Sequence, residues 1–206
     1  MIPLINTTPH TVQSHAEEMG FTDAGQLITP TRSTILWPGR FAVDNACYTS
    51  FDPEKYIALL TKLRPHRDRC IFVVVPDVVG SARRTNECFS HWYPRVQNWP
   101  VAYVAQDGCE DLEIPWRLVS CLFVGGTDNF KLSDCAEHVI RAAKIMGKWV
   151  HVGRINSYSR HQRFAKLGAD SFDGTGLTMF REEREKFMRG MNRAKGSEMQ
   201  QEIFAE

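Results

Sequence analysis

Short apolar runs recur along the chain from residue 41 onward, and each ends in a polar residue or a glycine pair. They read FAVDN (41–45), VVVPD (73–77), YVAQDG (103–108), LFVGGT (122–127) and DSFDGTG (170–176), and KWVHVGR (148–154) has the same character. Continuous apolar runs of this length are typical of strands that are buried on both faces, as in parallel sheets. The pattern therefore predicts at least six parallel strands.

Helical segments separate most of these runs. Asp52 and Pro53 stand where an amphipathic segment begins, and Ser133 precedes another. Gly147 ends the segment that follows Ser133, and Gly168 ends a further one. Aspartate and serine are preferred caps at the start of a helix, proline suits its first turn, and glycine commonly ends it. Strands that alternate with helices predict a parallel sheet joined by right-handed crossovers.

The predicted fold class is α/β, in the form of a compact TIM-like (β/α) barrel of parallel strands with some helices reduced or missing. The chain has 206 residues, whereas this fold typically has about 250. The segment 109–120 is too short for a full helix between two strands. We expect one domain, 1–206, with an irregular N-terminal part (1–40) and a charged C-terminal helical tail (177–206). An open doubly wound sheet is the alternative.

Residues 1–40 have the weakest pattern of hydrophobic positions. MIPLIN at the start predicts a first strand, and HTVQSHAEEMG predicts a short helix that ends at Gly20. The segment 26–39, rich in threonine and proline, predicts loop with a short strand near Ile35 and Leu36. We expect this part to complete the barrel or to cover it.

Composition excludes several classes of function. Lys and Arg number 25 against 24 Asp and Glu, for a net charge of +1, so any binding of nucleic acid must use local patches. The six cysteines are scattered without zinc-ligand spacing, which indicates reduced thiols, a cytoplasmic protein and no metal site. No stretch approaches the ~20 apolar residues of a membrane span.

Candidate chemistry lies at the ends of the predicted strands, where α/β barrels and sheets build their active sites. Asp44 and Asp173 there could divide the cleavage of a glycosidic bond, one attacking the anomeric carbon and the other handling protons. Asp77 and Gln106 could hydrogen-bond a base, and a glycine pair lets a flat ligand approach. Each feature alone has a simpler explanation as a helix cap or a turn. Five such strand ends in succession favour an active site.

These residues, in this order, resemble the tRNA-guanine transglycosylase superfamily, and especially its short DNA-acting members from phages and bacterial modification clusters. The resemblance covers about residues 41–176. It implies that Asp173, at the end of DSFD, is the nucleophile and that Asp44, in VDNAC, is the general acid/base. HVGR resembles the strand that precedes the nucleophile. The base-binding residues that it implies are Asp77, Gln106, Gly125, Gly126 and Asn45.

The resemblance implies replacement of guanine in DNA by a 7-deazaguanine such as preQ0, through a covalent Asp-glycosyl intermediate and without a cofactor. The expected partners are DNA and the incoming base, with a homodimer or a helper protein also open. Four arginines are candidates for holding phosphates: Arg83, Arg84, Arg154 and Arg160. DNA is favoured over tRNA because no cysteine follows Cys135 to build the tRNA enzymes' zinc site, and no accessory RNA-binding domain fits.

Other functions stay open at this point. A tRNA-guanine transglycosylase would use the same residues on a different polymer. A DNA glycosylase or nucleoside hydrolase would use the same aspartate pair with water in place of the incoming base. A third alternative is a barrel that only binds DNA or a base. A fourth is an unrelated sugar-phosphate enzyme with a phosphate loop at GTG (174–176).

Overall fold

Eight parallel strands close into a barrel in the computed structural model, which describes residues 1–31 and 36–203. The strands are β1 (Ile2–Ile5), β2 (Gly25–Ile28), β3 (Phe41–Val43), β4 (Cys70–Val74), β5 (Val101–Ala105), β6 (Cys121–Val124), β7 (Trp149–Val152) and β8 (Ser171–Phe172). Each strand pairs with its neighbours in chain order, and β8 pairs with β1 to close the ring. The predicted TIM-like barrel is confirmed, and the alternative open sheet is wrong.

Helices connect most of the strands, and several of them are short. They are α1 (Pro9–Glu18), α2 (Pro53–Leu63), α3 (Ala82–Val96), α4 (Asp128–Lys131), α5 (Asp134–Ile145), α6 (Tyr158–Lys166), α7 (Thr175–Met179) and α8 (Arg181–Ile203). Between β5 and β6 the chain forms only two 3-10 turns, Cys109–Asp111 and Trp116–Leu118, as predicted for this segment. A third 3-10 segment, Arg64–Arg69, leads from α2 into β4.

Side-chain caps begin the helices where the sequence places them. The Asp52 carboxylate accepts a hydrogen bond from the Lys55 backbone N–H at 3.1 Å, and the Ser133 hydroxyl accepts one from Ala136 at 3.3 Å. Gly147, with φ of +66°, follows α5 in the left-handed conformation that favours glycine. One boundary differs, because α3 continues two residues past its predicted end at Pro94.

Two layers of apolar side chains hold the barrel together. The inner layer fills the barrel itself, and the outer layer lies between strands and helices. Phe72 and Val74 belong to the inner layer while Val73, between them, belongs to the outer one, because alternate strand residues point to opposite faces. The inner cluster consists of Leu4, Leu27, Ala42, Phe72, Val74, Ala102, Val104 and Cys121. The barrel is therefore packed inside, and an active site needs space at one of its ends.

The N-terminal part completes the barrel with β1, α1 and β2. The strand expected near Ile35 and Leu36 falls largely outside the described residues, which omit Ile35; Leu36 is in no regular element, and the second strand of the barrel is Gly25–Ile28. Buried Gln26 obscured that strand by interrupting its apolar run. Its amide donates to the Thr7 carbonyl at 2.9 Å and accepts from the Trp37 N–H at 2.8 Å, which offsets the cost of burial.

The C-terminal tail packs on the barrel as two helices, α7 and α8. Arg184 of α8 is only 5% exposed; its guanidinium pairs with Glu18 of α1 at 2.5 Å and donates to the Leu177 carbonyl at 2.8 Å. Helix α8 also contacts α6. Within residues 1–31 and 36–203, no helix has both the length and the apolar character that are needed to cross a bilayer.

Candidate active site

A cavity of about 290 Å³ opens at the C-terminal ends of the strands. Its wall contains the seven predicted catalytic and base-binding residues and one of the four predicted phosphate-binding arginines: Asp44, Asn45, Asp77, Gln106, Gly125, Gly126, Asp173 and Arg154. Its volume is close to the lower limit of ligand pockets, which typically range from about 300 to 1,000 Å³, so the cavity suits a small ligand such as one base with part of its sugar. The structure thus brings together residues that are up to 129 positions apart in the chain, from Asp44 to Asp173.

Asp44 follows β3 and sits in a partly desolvated position. Its backbone N–H donates to the Ile28 carbonyl at 2.8 Å, which extends the pairing of β3 with β2 past the strand end. Its carboxylate accepts the N–H of Ala46 at 3.0 Å. Burial, with a smaller contribution from the nearby carboxylates of Asp173 and Asp77, raises the pKa of Asp44 to about 7, and the hydrogen bond from Ala46 opposes the shift. A carboxyl group with this pKa can both donate and accept a proton near neutral pH.

Asp77 follows β4 and is held by two amide side chains. Asn45 donates to one carboxylate oxygen at 2.7 Å, and Gln106 donates to the other at 2.5 Å. Burial raises the pKa of Asp77, and these two hydrogen bonds oppose that shift by favouring the ionised form. Asp77 is therefore an oriented acceptor whose remaining lone pairs can receive N–H groups of a ligand.

Asn45 and Gln106 are mainly committed to protein contacts. The Asn45 amide also donates to the Val75 carbonyl at 2.9 Å, and its oxygen accepts the Cys47 N–H at 2.7 Å. The Gln106 oxygen accepts the Gly80 N–H at 3.0 Å. Both residues line the cavity, but the structure shows them positioning Asp77; a direct contact with a base stays a prediction.

Asp173, at the end of β8, is fixed by a donor to each carboxylate oxygen. One oxygen lies 3.0 Å from Nε2 of His151, and the other accepts the backbone N–H of Arg154 at 3.1 Å. Arg154 adopts φ of +61°, a conformation that costs a non-glycine residue free energy, and its N–H points at Asp173. The carboxylate has one orientation toward the cavity as a result.

A buried chain of hydrogen bonds supports Asp173 from inside the barrel. Trp149 Nε1 lies 2.8 Å from the Ser171 hydroxyl, which lies 2.9 Å from Nδ1 of His151. The Asp173 carboxylate can only accept, so Nε2 of His151 carries the proton and Nδ1 of the neutral ring accepts from the Ser171 hydroxyl. The hydroxyl oxygen in turn accepts the indole N–H of Trp149. Burial lowers the pKa of His151, with Asp173 opposing that shift, so the imidazole is neutral. Sequence analysis assigned no role to His151.

The glycine pair after β6 makes room for the site. A Cβ atom on Gly125 would lie 2.6 Å from Val104 and 3.1 Å from the Gln106 amide nitrogen, so any side chain there would collide with Val104 and press on Gln106. Gly126 has φ of +69°, and its carbonyl accepts a hydrogen bond from the guanidinium of Arg154. The pair thus supports two other residues of the cavity, while its contact with a base stays a prediction.

Lys131 is a cavity residue that sequence analysis missed. It lies on the one-turn helix α4, is 3% exposed, and donates from Nζ to the Gly153 carbonyl at 2.5 Å. Burial lowers its pKa to about 8, helped by the charge of Arg154 and opposed by that of Asp173. A buried ammonium group in a cavity wall is a common mark of a functional site.

The four predicted phosphate-binding arginines lie in different environments. Arg154 lines the cavity and places its guanidinium 4.7 Å from the centre of the Tyr48 ring. Arg160 forms a two-point ion pair with Asp128, at 2.8 and 3.1 Å. Arg83 and Arg84 belong to the first turn of α3, which also lies at the C-terminal side of the barrel. Their contact with nucleic acid stays a prediction.

Away from the cavity wall, the fold brings together a group of possible metal ligands that sequence spacing did not reveal. The Cys109 and Cys135 sulfur atoms lie 3.5 Å apart, and Cys135 lies 3.2 Å from a Glu110 carboxylate oxygen. Burial raises the pKa of Cys109 and Cys135, so both thiols are protonated at neutral pH. None of the three residues lines the cavity described above.

Comparison with known proteins adds no assignment of function. No protein-family model matches the sequence, and no curated protein is significantly similar to it. The barrel alone does not define an activity, because this fold supports many unrelated reactions. The function proposed below therefore rests on the chemistry of the cavity residues.

Proposed function

We propose that this protein is a glycosyltransferase that exchanges guanine in DNA for a 7-deazaguanine base. One observation carries the proposal: Asp44, Asp77 and Asp173 line a single cavity in three different environments. Asp44 is desolvated with a raised pKa, Asp77 is held by two amides, and Asp173 is oriented by an imidazole and a backbone N–H. Carboxyl groups in different environments can take different roles in one reaction.

The first half-reaction replaces the base by the enzyme. An Asp173 oxygen attacks C1′ of the deoxyguanosine nucleotide, the C1′–N9 bond breaks, and its electron pair leaves with guanine. Asp44 supplies the proton that makes the departing guanine neutral. The pKa of about 7 suits Asp44 to this step, because a useful fraction of the carboxyl is protonated near neutral pH. The product is a covalent ester between Asp173 and C1′.

The second half-reaction inserts the new base. The N9 nitrogen of the 7-deazaguanine attacks C1′, its proton passes to Asp44, and Asp173 leaves as a carboxylate. Two displacements at C1′ give overall retention of configuration. The base must leave the DNA stack to reach a cavity of this size, which costs a few kcal/mol in a duplex.

Asp77 explains how the cavity would select guanine. Guanine presents N1–H and an exocyclic amino group on one edge, and both are donors. Asp77 is an acceptor, and Asn45 and Gln106 fix its orientation. Adenine presents an acceptor nitrogen at the corresponding ring position, so it would leave the lone pair of Asp77 that faces the ring nitrogen without a donor, at a cost of about 1–3 kcal/mol.

Guanine exchange is the experiment that tests this proposal. The protein is incubated with radiolabelled guanine and with single-stranded DNA, duplex DNA or tRNA, and label retained in the polymer is counted. We expect label in DNA with the wild-type protein and none with Asp173→Asn, which keeps the size of the side chain. Label in tRNA alone would overturn the choice of polymer. Release of guanine without incorporation would identify a hydrolase instead.

A further inference from the structure

We propose that Lys131 and Arg154 form a phosphate-binding subsite beside Asp173, which takes the phosphate attached to the sugar whose base is exchanged. This inference rests on the proposed function and names its substrate class as a nucleotide within a polymer rather than a free nucleoside. Both residues line the cavity: Lys131 lies on α4, which follows β6, and Arg154 lies just after β7, the strand next to β6.

Lys131 has more hydrogen-bonding capacity than the protein uses. Its ammonium group carries three N–H donors, and the Gly153 carbonyl receives one of them. Among the described residues no carboxylate lies within ion-pair distance of Nζ, although the residue is only 3% exposed. Burying an ammonium group without an ion pair is unfavourable, because the charge loses its hydration. An anionic ligand in the cavity would compensate for the buried charge.

Arg154 supplies a second cation next to the first. Its guanidinium donates to the Gly126 carbonyl and lies over the Tyr48 ring at 4.7 Å, so it is held in place without a carboxylate partner among the described residues. Tyr48 follows β3, which stands opposite β7 in an eight-stranded ring. The Arg154 side chain therefore reaches across the mouth of the cavity. Guanidinium donors suit the oxygens of a phosphate.

The base acceptor, the two cations and the nucleophile occupy three different parts of the cavity wall. Asp77 and its amides follow β3, β4 and β5, the two cations follow β6 and β7, and Asp173 follows β8. In a nucleotide the sugar joins the base to the phosphate. A guanine at Asp77 and a C1′ atom at Asp173 thus leave the cationic side of the cavity for the phosphate. Arg160 is not part of this subsite, because it does not line the cavity; it pairs with Asp128.

The rival explanation is that Lys131 only balances the negative charge of Asp173. The two explanations differ in what a ligand gains from carrying a phosphate. Charge balance predicts that guanine, deoxyguanosine and its phosphates all depend on Lys131 to the same extent. A phosphate subsite predicts that only the phosphorylated ligands depend on it.

The test is binding, measured by calorimetry, of guanine, deoxyguanosine and deoxyguanosine 5′- and 3′-monophosphates. The proteins are the wild type, Lys131→Met, Arg154→Met and, as a matched control, Lys186→Met, which removes one exposed charge from α8. We expect at least one monophosphate to bind the wild type about tenfold more tightly than deoxyguanosine. Each cavity variant should lose most of that gain and keep its affinity for guanine, while Lys186→Met changes neither.

Equal affinity of the wild type for deoxyguanosine and both monophosphates would overturn the subsite and leave the proposed function intact. A similar loss of affinity for all ligands in the cavity variants would favour the charge-balance explanation and overturn the phosphate subsite. Lys131-dependent binding of a monophosphate without any binding of guanine would support the subsite and count against base exchange. If Lys131→Met does not fold, Arg154→Met gives the same comparison.

Discussion

Replacing Asp44 by asparagine should stabilise the folded protein above neutral pH while abolishing guanine exchange. Asparagine has nearly the same size and keeps an oxygen that can accept the Ala46 N–H, but it has no charge to desolvate. In the wild type, the folded-state pKa of about 7 lies above the ordinary value of 3.8. The stability that the protonated carboxyl provides is fully present below about pH 3.8, and it is lost as pH rises through 7.

The size of this effect follows from the pKa shift. Each unit corresponds to about 1.4 kcal/mol, so the full shift amounts to about 4 kcal/mol. Between pH 5 and pH 7 the wild type loses the free energy that corresponds to about two of these pKa units, and above pH 7 its stability levels off. From pH 5 to pH 8, the free energy of unfolding of the wild type should therefore fall by about 3 kcal/mol more than that of Asp44→Asn.

The assay is urea denaturation of both proteins at pH 5 and pH 8, followed by circular dichroism. Asp68→Asn is the matched control, because Asp68 is an exposed carboxylate on the segment between α2 and β4. The control should follow the wild type at both pH values. If Asp44→Asn also follows the wild type, Asp44 is not desolvated in the folded protein, and its role as a general acid loses its physical basis.

Three further predictions concern other positions. Burial lowers the pKa of His161 to about 4, so the free energy of unfolding of the wild type should fall by about 3 kcal/mol relative to that of His161→Phe as pH drops from 6.5 to 4, which denaturation of both proteins at pH 7 and pH 4.5 measures. His151→Leu should lower kcat for exchange by about 100-fold with little change in KM, because Asp173 loses its orienting donor, and His151→Gln, which keeps an N–H, should recover part of it. Gly174→Ala should reduce the free energy of unfolding by more than about 2 kcal/mol, because its Cβ would lie 2.2 Å from the Ile155 carbonyl oxygen. Normal stability of that variant would show that the loop yields easily.

Most strands could be predicted because each is a continuous apolar run that does not depend on distant contacts for its signal. VVVPD and YVAQDG show this, since each run gives one strand, β4 or β5, with its polar residue just beyond. β2 could not be predicted in the same way. Gln26 breaks its apolar pattern, and only contacts with Thr7 and Trp37 make that glutamine acceptable in a buried strand.

In the candidate site, too, some residues could be predicted from local sequence and others could not. Strand ends carry Asp44, Asp77 and Asp173, so the topology alone predicts that they converge. Lys131 sits on a single helical turn and becomes buried through Gly153, 22 residues away, which no local pattern indicates. His151 could have been placed, because strict alternation in WVHV puts it on the same face as Trp149, inside the barrel.

The covalent intermediate on Asp173 is the most direct test of the proposed reaction. The protein is mixed with end-labelled single-stranded DNA in the absence of free base, denatured in mild acid and separated on a denaturing gel, and the adduct is mapped by mass spectrometry. The mechanism predicts an adduct whose mass equals protein plus DNA less guanine, attached to the peptide that contains Asp173. It should disappear when a 7-deazaguanine is added and should not form with Asp173→Asn. Base exchange by the wild type without an adduct, or an adduct that persists in Asp173→Asn, would contradict it.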